Sequence, residues 1–219
     1  MTTDQNLIDL LAADVAPVRL LPRPLGRLSR WLGVSVPFVA MVVIAMPLRP
    51  DLAAKFGEGR FVLEQGAALA TSILAGYAAF CVGVPGRSRL VLFLPLLALS
   101  VWLSSLGEGC IANWLHTGPN GVALRRDWQC LPAIAMTGAV PAFAMAFMLR
   151  RGAPLFPRIG VLLGGLAAAA LGNVGLRLYH PQDASLMVLV WQFGAVAGLS
   201  ALCGAFGNRL LRWRHPALE

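Results

Sequence analysis

Apolar residues in this chain gather into long runs instead of alternating with polar ones as they would along a half-buried strand. The runs cover residues 31–48, 61–84, 90–106, 131–149, 159–178 and 186–211. Each is close to the ~20 helical residues that cross about 30 Å of hydrocarbon. Charged residues, Pro and Gly collect in the short stretches between them. Only helices or closed barrels satisfy every backbone group inside lipid, and runs this continuous lack the alternation of a barrel strand. The pattern predicts an all-α polytopic membrane protein, a bundle of about six transmembrane helices. The first run begins late and lacks a convincing small-residue cleavage site, so it reads as a span that stays and not as a signal peptide.

The N-terminus has a different pattern. Leu7, Leu10, Leu11, Val15 and Val18 fall within one arc at about 100° per residue, after capping chemistry in Thr2-Thr3-Asp4-Gln5. A short amphipathic helix up to Ala16 is predicted, stopped by Pro17, with Pro22 and Pro24 stiffening the way to the first span. Asp9 and Asp14 give it an acidic character, unlike the basic helices that lie on anionic lipid. Two uses remain open: binding a protein partner, or packing against the bundle's own cytoplasmic ends.

Composition agrees with the pattern. Of 219 residues, 58% are hydrophobic and 13% charged, with a mean hydropathy of +0.70, whereas a soluble domain carries roughly 25% charged residues. The net charge of +8 could suit phosphate binding, but its placement argues against direct nucleic-acid contact. Arg19, Arg23, Arg27 and Arg30 precede the first span, Arg87 and Arg89 follow the second, Arg150, Arg151 and Arg158 follow the fourth, and Arg209, Arg212 and Arg214 end the last. Such clusters mark a cytoplasmic face. The opposite face has Arg49, Lys55, Arg60, Arg125, Arg126 and Arg177, offset by Asp51, Glu58, Glu108, Asp127 and Asp183. Both termini are therefore expected in the cytoplasm. Residues 1–27 form a cytoplasmic segment, 28–212 the transmembrane domain with an external loop at about 107–130, and 213–219 a cytoplasmic tail.

Candidate chemistry is sparse. The span interiors are nearly free of ionisable groups, with Glu64 and Arg177 near the predicted ends. Proton relays and ion pathways need polar groups at membrane depth, which disfavours a small-molecule transporter. Pro37, Pro95 and Pro141 are expected kinks. No catalytic motif stands out, so the chain does not read as an enzyme, and Asp51 with Glu58 reads as solvated loop charge. No cofactor is required.

Four cysteines divide by location. Cys81 and Cys203 fall in apolar runs and read as buried hydrophobes. Cys110 and Cys130 bracket the external connection with its Gly118-Pro119-Asn120-Gly121 turn. A disulfide closing a ring of about 20 residues would contribute roughly 3 kcal/mol. Thiolates with His116 or His180 could instead bind a soft heavy metal transiently, or be oxidised as a sensor. The spacing fits no standard zinc site, and without Cys-x-x-Cys a membrane thiol oxidoreductase is the weaker alternative. Gly160-xxx-Gly164 and Gly194-xxx-Gly198 favour close helix packing over a specific dimer, and the oligomeric state stays open.

In order along the chain come Leu7-Ile8-Asp9-Leu10-Leu11 with Asp14 and Pro17-Val18, Leu48-Arg49-Pro50-Asp51-Leu52, and Val84-Pro85-Gly86-Arg87-Ser88. Gly109-Cys110, Asp127-Trp128-Gln129-Cys130, Arg150-Arg151-Gly152-Ala153-Pro154 and Pro181-Gln182-Asp183 through Trp191 follow. In this order the segments resemble, nearly end to end, the NrsF family, negative regulators of sigma F, which are six-span bacterial inner-membrane proteins. The resemblance implies an anti-sigma factor that holds an extracytoplasmic-function sigma factor at the membrane and releases it on a metal or oxidative stress signal. It implies a sensing role for Cys130, which Cys110 could join as a redox partner and His180 as a metal ligand. It also implies a sigma-binding helix built on Leu7, Asp9, Leu10, Leu11, Asp14 and Val18. Members of the family often have a second Cys before the Pro of the fifth-to-sixth loop, where this chain has His180-Pro181. A disulfide through that position is thereby ruled out, whereas imidazole keeps a metal site open.

Overall fold

The structure, a computed structural model, describes residues 2–13, 21–118, 130–152 and 156–180, together with helical positions 194, 197, 198, 201 and 205. The described residues are helical with no strand. In order they form α1 (Thr2–Ala13), α2 (Pro24–Ala45), the short α3 (Leu52–Gly57), α4 (Gly59–Val82), α5 (Leu94–Thr117) entered through a 3-10 turn at Arg89–Phe93, α6 (Cys130–Arg150) and α7 (Pro157–Tyr179). Four stretches are long and apolar enough to cross a membrane: Pro24–Ala45, Gly59–Val82, Arg89–Glu108 and Pro157–Tyr179. In α6, Cys130–Arg150, the described apolar stretch is Met136–Arg150. Six spans are therefore not established, and the expected sixth, 186–211, lies outside the described residues apart from the helical positions Gly194, Ala197, Gly198, Ala201 and Ala205.

The boundaries correct the sequence reading in three places. Helix α2 starts at Pro24, whose fixed φ and missing N–H suit a first turn, so Arg27 and Arg30 lie inside the helix instead of before it. Helix α5 does not stop near Gly107 but continues to Thr117, so Cys110 lies within a helix and the connection from α5 to α6 is shorter than 107–130. The apolar sequence Ile111, Trp114 and Leu115 carries the helix through Glu108, which is exposed. Pro95 sits in the first turn of α5, where it interrupts no hydrogen bond; only Pro37 and Pro141 are internal.

The long helices run up and down. Arg27 at the start of α2 meets Met148 near the end of α6, and Glu64 at the start of α4 meets Arg177 near the end of α7. Helix α7 is central, with 72% of its apolar window buried against 28% for α2 and 22% for α5. Its sequence explains this position, because small residues let neighbouring backbones approach and replace the hydrophobic drive that lipid removes. A Cβ on Gly164 would stand 2.7 Å from Met145 Cγ, one on Gly172 would stand 3.3 Å from the Gly138 backbone, and Gly175 is closed by Val39. Gly164 is thus used within the chain, against α6. The Ser72 hydroxyl donates to the Ala167 carbonyl at 2.8 Å, tying α4 to α7. On the far side of α4, Trp102 and Leu106 of α5 pack with Ala67, Ala68 and Ala170.

Candidate functional site

The up-and-down course divides the polar residues between two ends. One end has the starts of α2, α5 and α7 and the ends of α4 and α6, and with them Arg23, Arg27, Arg30, Arg87, Arg89, Arg150, Arg151 and Arg158. The other end has Arg49, Asp51, Lys55, Glu58, Arg60, Glu64 and Arg177, and also Cys110, Cys130, His116 and His180.

At the mixed-charge end the last turns of α7 act as a hub. Arg177 Nη2 donates to Glu64 Oε2 at 2.6 Å with both side chains buried, and Arg60 Nε stands 3.4 Å from Glu64 Oε1. The Gln65 amide donates to the Val174 carbonyl at 3.3 Å, and the Arg49 backbone N–H donates to the Leu178 carbonyl at 3.3 Å. The Tyr179 hydroxyl reaches the Ala133 carbonyl of α6 at 3.4 Å. Phe61 lies between two guanidinium groups, Arg177 at 5.3 Å and Arg49 at 5.9 Å from its ring centroid. Arg49 also forks onto Asp51, with Nε and Nη2 each 2.7 Å from a carboxylate oxygen. That hydrogen-bonded pairing holds the Asp51 carboxyl down at about 2 from an ordinary 3.8. Asp51 pairs with Arg49, and Glu58 with Lys55 at 2.9 Å.

The hub bears on the expected sensing residues. His180 closes α7, its backbone N–H donating to the Leu176 carbonyl at 2.9 Å, and its side chain is half-buried. Cys130 opens α6 one turn before Ala133, the partner of Tyr179, so the end of α7 and the start of α6 are tied beside these two residues. Cys110 lies in the last two turns of α5 at the same end. The side chains of Cys110 and Cys130 are outside the described set, as are Cys203 and the 119–129 connection. Among the described residues no group of three metal-ligating side chains occurs, and Cys81 is free and buried.

At the arginine-rich end one arginine is internal, although its place among the basic flanks does not mark it out. Arg27 is 4% exposed, stacks 4.6 Å over the Phe80 ring and donates through Nη2 to the Met148 carbonyl at 2.5 Å. It thereby satisfies one of the carbonyls left open in the last turn of α6, where a cation also meets the negative end of the helix. The only available cue was its spacing four residues before Trp31, the next position on the same face, whose indole N–H donates to the Pro141 carbonyl at 2.9 Å.

Helix α1 is described over Thr2–Ala13, and positions 14–16, to which the expected helix extends, lie outside the described residues. Leu7, Ile8 and Leu10 are 56%, 62% and 72% exposed, and Asp9 is exposed beside them, so these four side chains are open among the described residues. Asp14, Val18 and the Leu11 side chain lie outside the described residues.

No curated protein and no solved structure matches the chain. The family model for negative regulators of sigma F, NrsF, matches residues 11–213, nearly the whole length, and the chain belongs to that family.

Proposed function

We propose that this protein is a membrane-bound anti-sigma factor of the bacterial inner membrane, with both termini in the cytoplasm. It sequesters an extracytoplasmic-function sigma factor through its N-terminal helix and releases it on a periplasmic metal or oxidative signal. The observation that carries the reading is the exposed arc of α1, where Leu7 and Leu10 lie open on either side of Asp9 in a chain of the NrsF family. An amphipathic helix presenting leucines one turn apart is suited to a groove on a soluble partner. Acidic residues favour a basic partner surface and would be repelled by anionic lipid.

Cys130, Cys110 and His180 carry the sensing role in this reading. A change of state at Cys130 or His180 would act at the junction of α6 and α7. Helix α7 holds α4 through Glu64 and the connection between α2 and α3 through the Leu178 carbonyl, and its other end lies among the arginines. A packed rod with several fixed ties is the kind of element through which two sites share a two-state balance, typically with about 1–3 kcal/mol of coupling.

The experiment is a pull-down of the tagged full chain from detergent extract, with associated proteins identified by mass spectrometry. Wild type is expected to capture a sigma factor that Leu10→Asp and Asp14→Lys both lose. Cys130→Ser is expected to capture it and fail to release it when metal or oxidant is added. Absence of any sigma factor on the wild-type bait refutes the proposal.

A further inference from the structure

Between the end of α4 and the start of α5 lies a cavity of about 210 Å³, lined by Cys81, Val82, the Val84–Arg89 connection, Val91, Leu92 and Phe156. Its volume is below the roughly 300–1,000 Å³ of sites for drug-sized ligands, so it suits a small group. Two of the lining residues are arginines, and neither Arg87 nor Arg89 makes an ion pair or hydrogen bond through its side chain with any described residue. Asp51, Glu58, Glu64 and Glu108 lie toward the opposite end.

The connection is built, not slack. Gly86 takes φ +78°, a conformation that a residue with a Cβ adopts only at a cost. Ser88 Oγ accepts from the Leu90 N–H at 3.2 Å, and its carbonyl accepts from the Val91 N–H at 3.3 Å. These bonds fix Arg87 and Arg89 on either side of Ser88. Two guanidinium forks and the Ser88 side chain lining one cavity form a donor set for a tetrahedral oxyanion.

The opposite wall is apolar, with Val82, Val91, Leu92 and Phe156. It continues outward onto Leu90, Phe93 and Leu97, which are 75%, 62% and 76% exposed. Cationic donors at a helix end beside an open apolar strip match an anionic phospholipid, its phosphate among the donors and an acyl chain along the strip. We infer that Arg87, Ser88 and Arg89 form a specific seat for the phosphate of an anionic phospholipid at the arginine-rich end of the bundle. The inference is independent of the sigma-factor reading, because it concerns a different connection and a different ligand.

The test is native mass spectrometry of the full chain released from detergent, titrated with phosphatidylglycerol and with phosphatidylcholine of the same acyl chains. Wild type is expected to bind one phosphatidylglycerol at least about tenfold more tightly than phosphatidylcholine. Arg87→Gln with Arg89→Gln is expected to lose that preference, whereas Arg30→Gln, a charge loss at the same end away from the cavity, keeps it. Should the double variant fail to fold, Arg87→Lys with Arg89→Lys retains the charge without the fork and is expected to lie between the two. No preference in wild type, or an undiminished preference in the double variant, overturns the seat. Displacement of the lipid by inorganic phosphate at equal concentration overturns the lipid as its source and leaves a soluble phosphate in its place.

Discussion

Arg177 Nη2 lies 2.6 Å from Glu64 Oε2, joining residues 113 apart in sequence across the interface of α7 and α4, with side chains only 7% and 4% exposed. Removing one partner leaves the other buried charge without its closest ion pair, whereas removing both takes the two buried charges away together. Glu64→Leu or Arg177→Met alone is expected to lower stability by about 3–5 kcal/mol, and the double variant to recover most of the loss. A double-mutant cycle on unfolding midpoints in one detergent checks this. Additive losses would mean that the pair is not coupled.

Arg27 offers a second, separable test. Arg27→Ala removes the stack on Phe80 and the donor to Met148 together, at an expected cost of about 2–4 kcal/mol. Arg27→Lys keeps the charge and loses the planar face, so it restores only part. Thermal unfolding of the three proteins measures it, and full rescue by lysine would remove the stacking from the account.

Glycines on α7 should divide sharply from those on α2. At Gly172 a side chain meets the Gly138 backbone, which cannot swing aside, and Gly172→Leu is expected to cost at least about 1–3 kcal/mol through overpacking. Gly33 has nothing within 4 Å of a built Cβ, so Gly33→Ala is expected to be neutral or slightly stabilising. Comparing folded yield and unfolding midpoint for the two variants decides it.

The depressed Asp51 carboxyl makes a directional statement about acid. Because its folded value of about 2 lies below the ordinary 3.8, the stabilisation is fully present above the ordinary value. It is lost as pH falls through about 2. Asp51→Asn should therefore be less stable than wild type at neutral pH, with the difference closing between about pH 4 and pH 2. Stability against pH for both proteins tests it, and a constant gap would assign the effect to something other than ionisation.

Much of this architecture is readable without a structure. Apolar runs place α4 and α7 to within a few residues, since covering a helix against lipid is a sum over neighbouring side chains. The Leu7 and Leu10 spacing marks α1 for the same reason: periodicity within a dozen residues is local information. The order of short motifs likewise carries the family assignment that the match over 11–213 establishes.

The relations between distant residues were decided only by the tertiary structure. The sequence puts Glu64 and Arg177 near span ends but cannot say that they touch, since pairing depends on which face of each helix turns inward. It counts Arg27 as one more basic flank, yet packing against Phe80 and the open end of α6 makes that arginine internal. It reads Gly160 and Gly164 as a helix-contact motif without naming the partner, which for Gly164 is Met145 of α6. Hydropathy assigns each residue a medium, and only the packed bundle assigns it a neighbour.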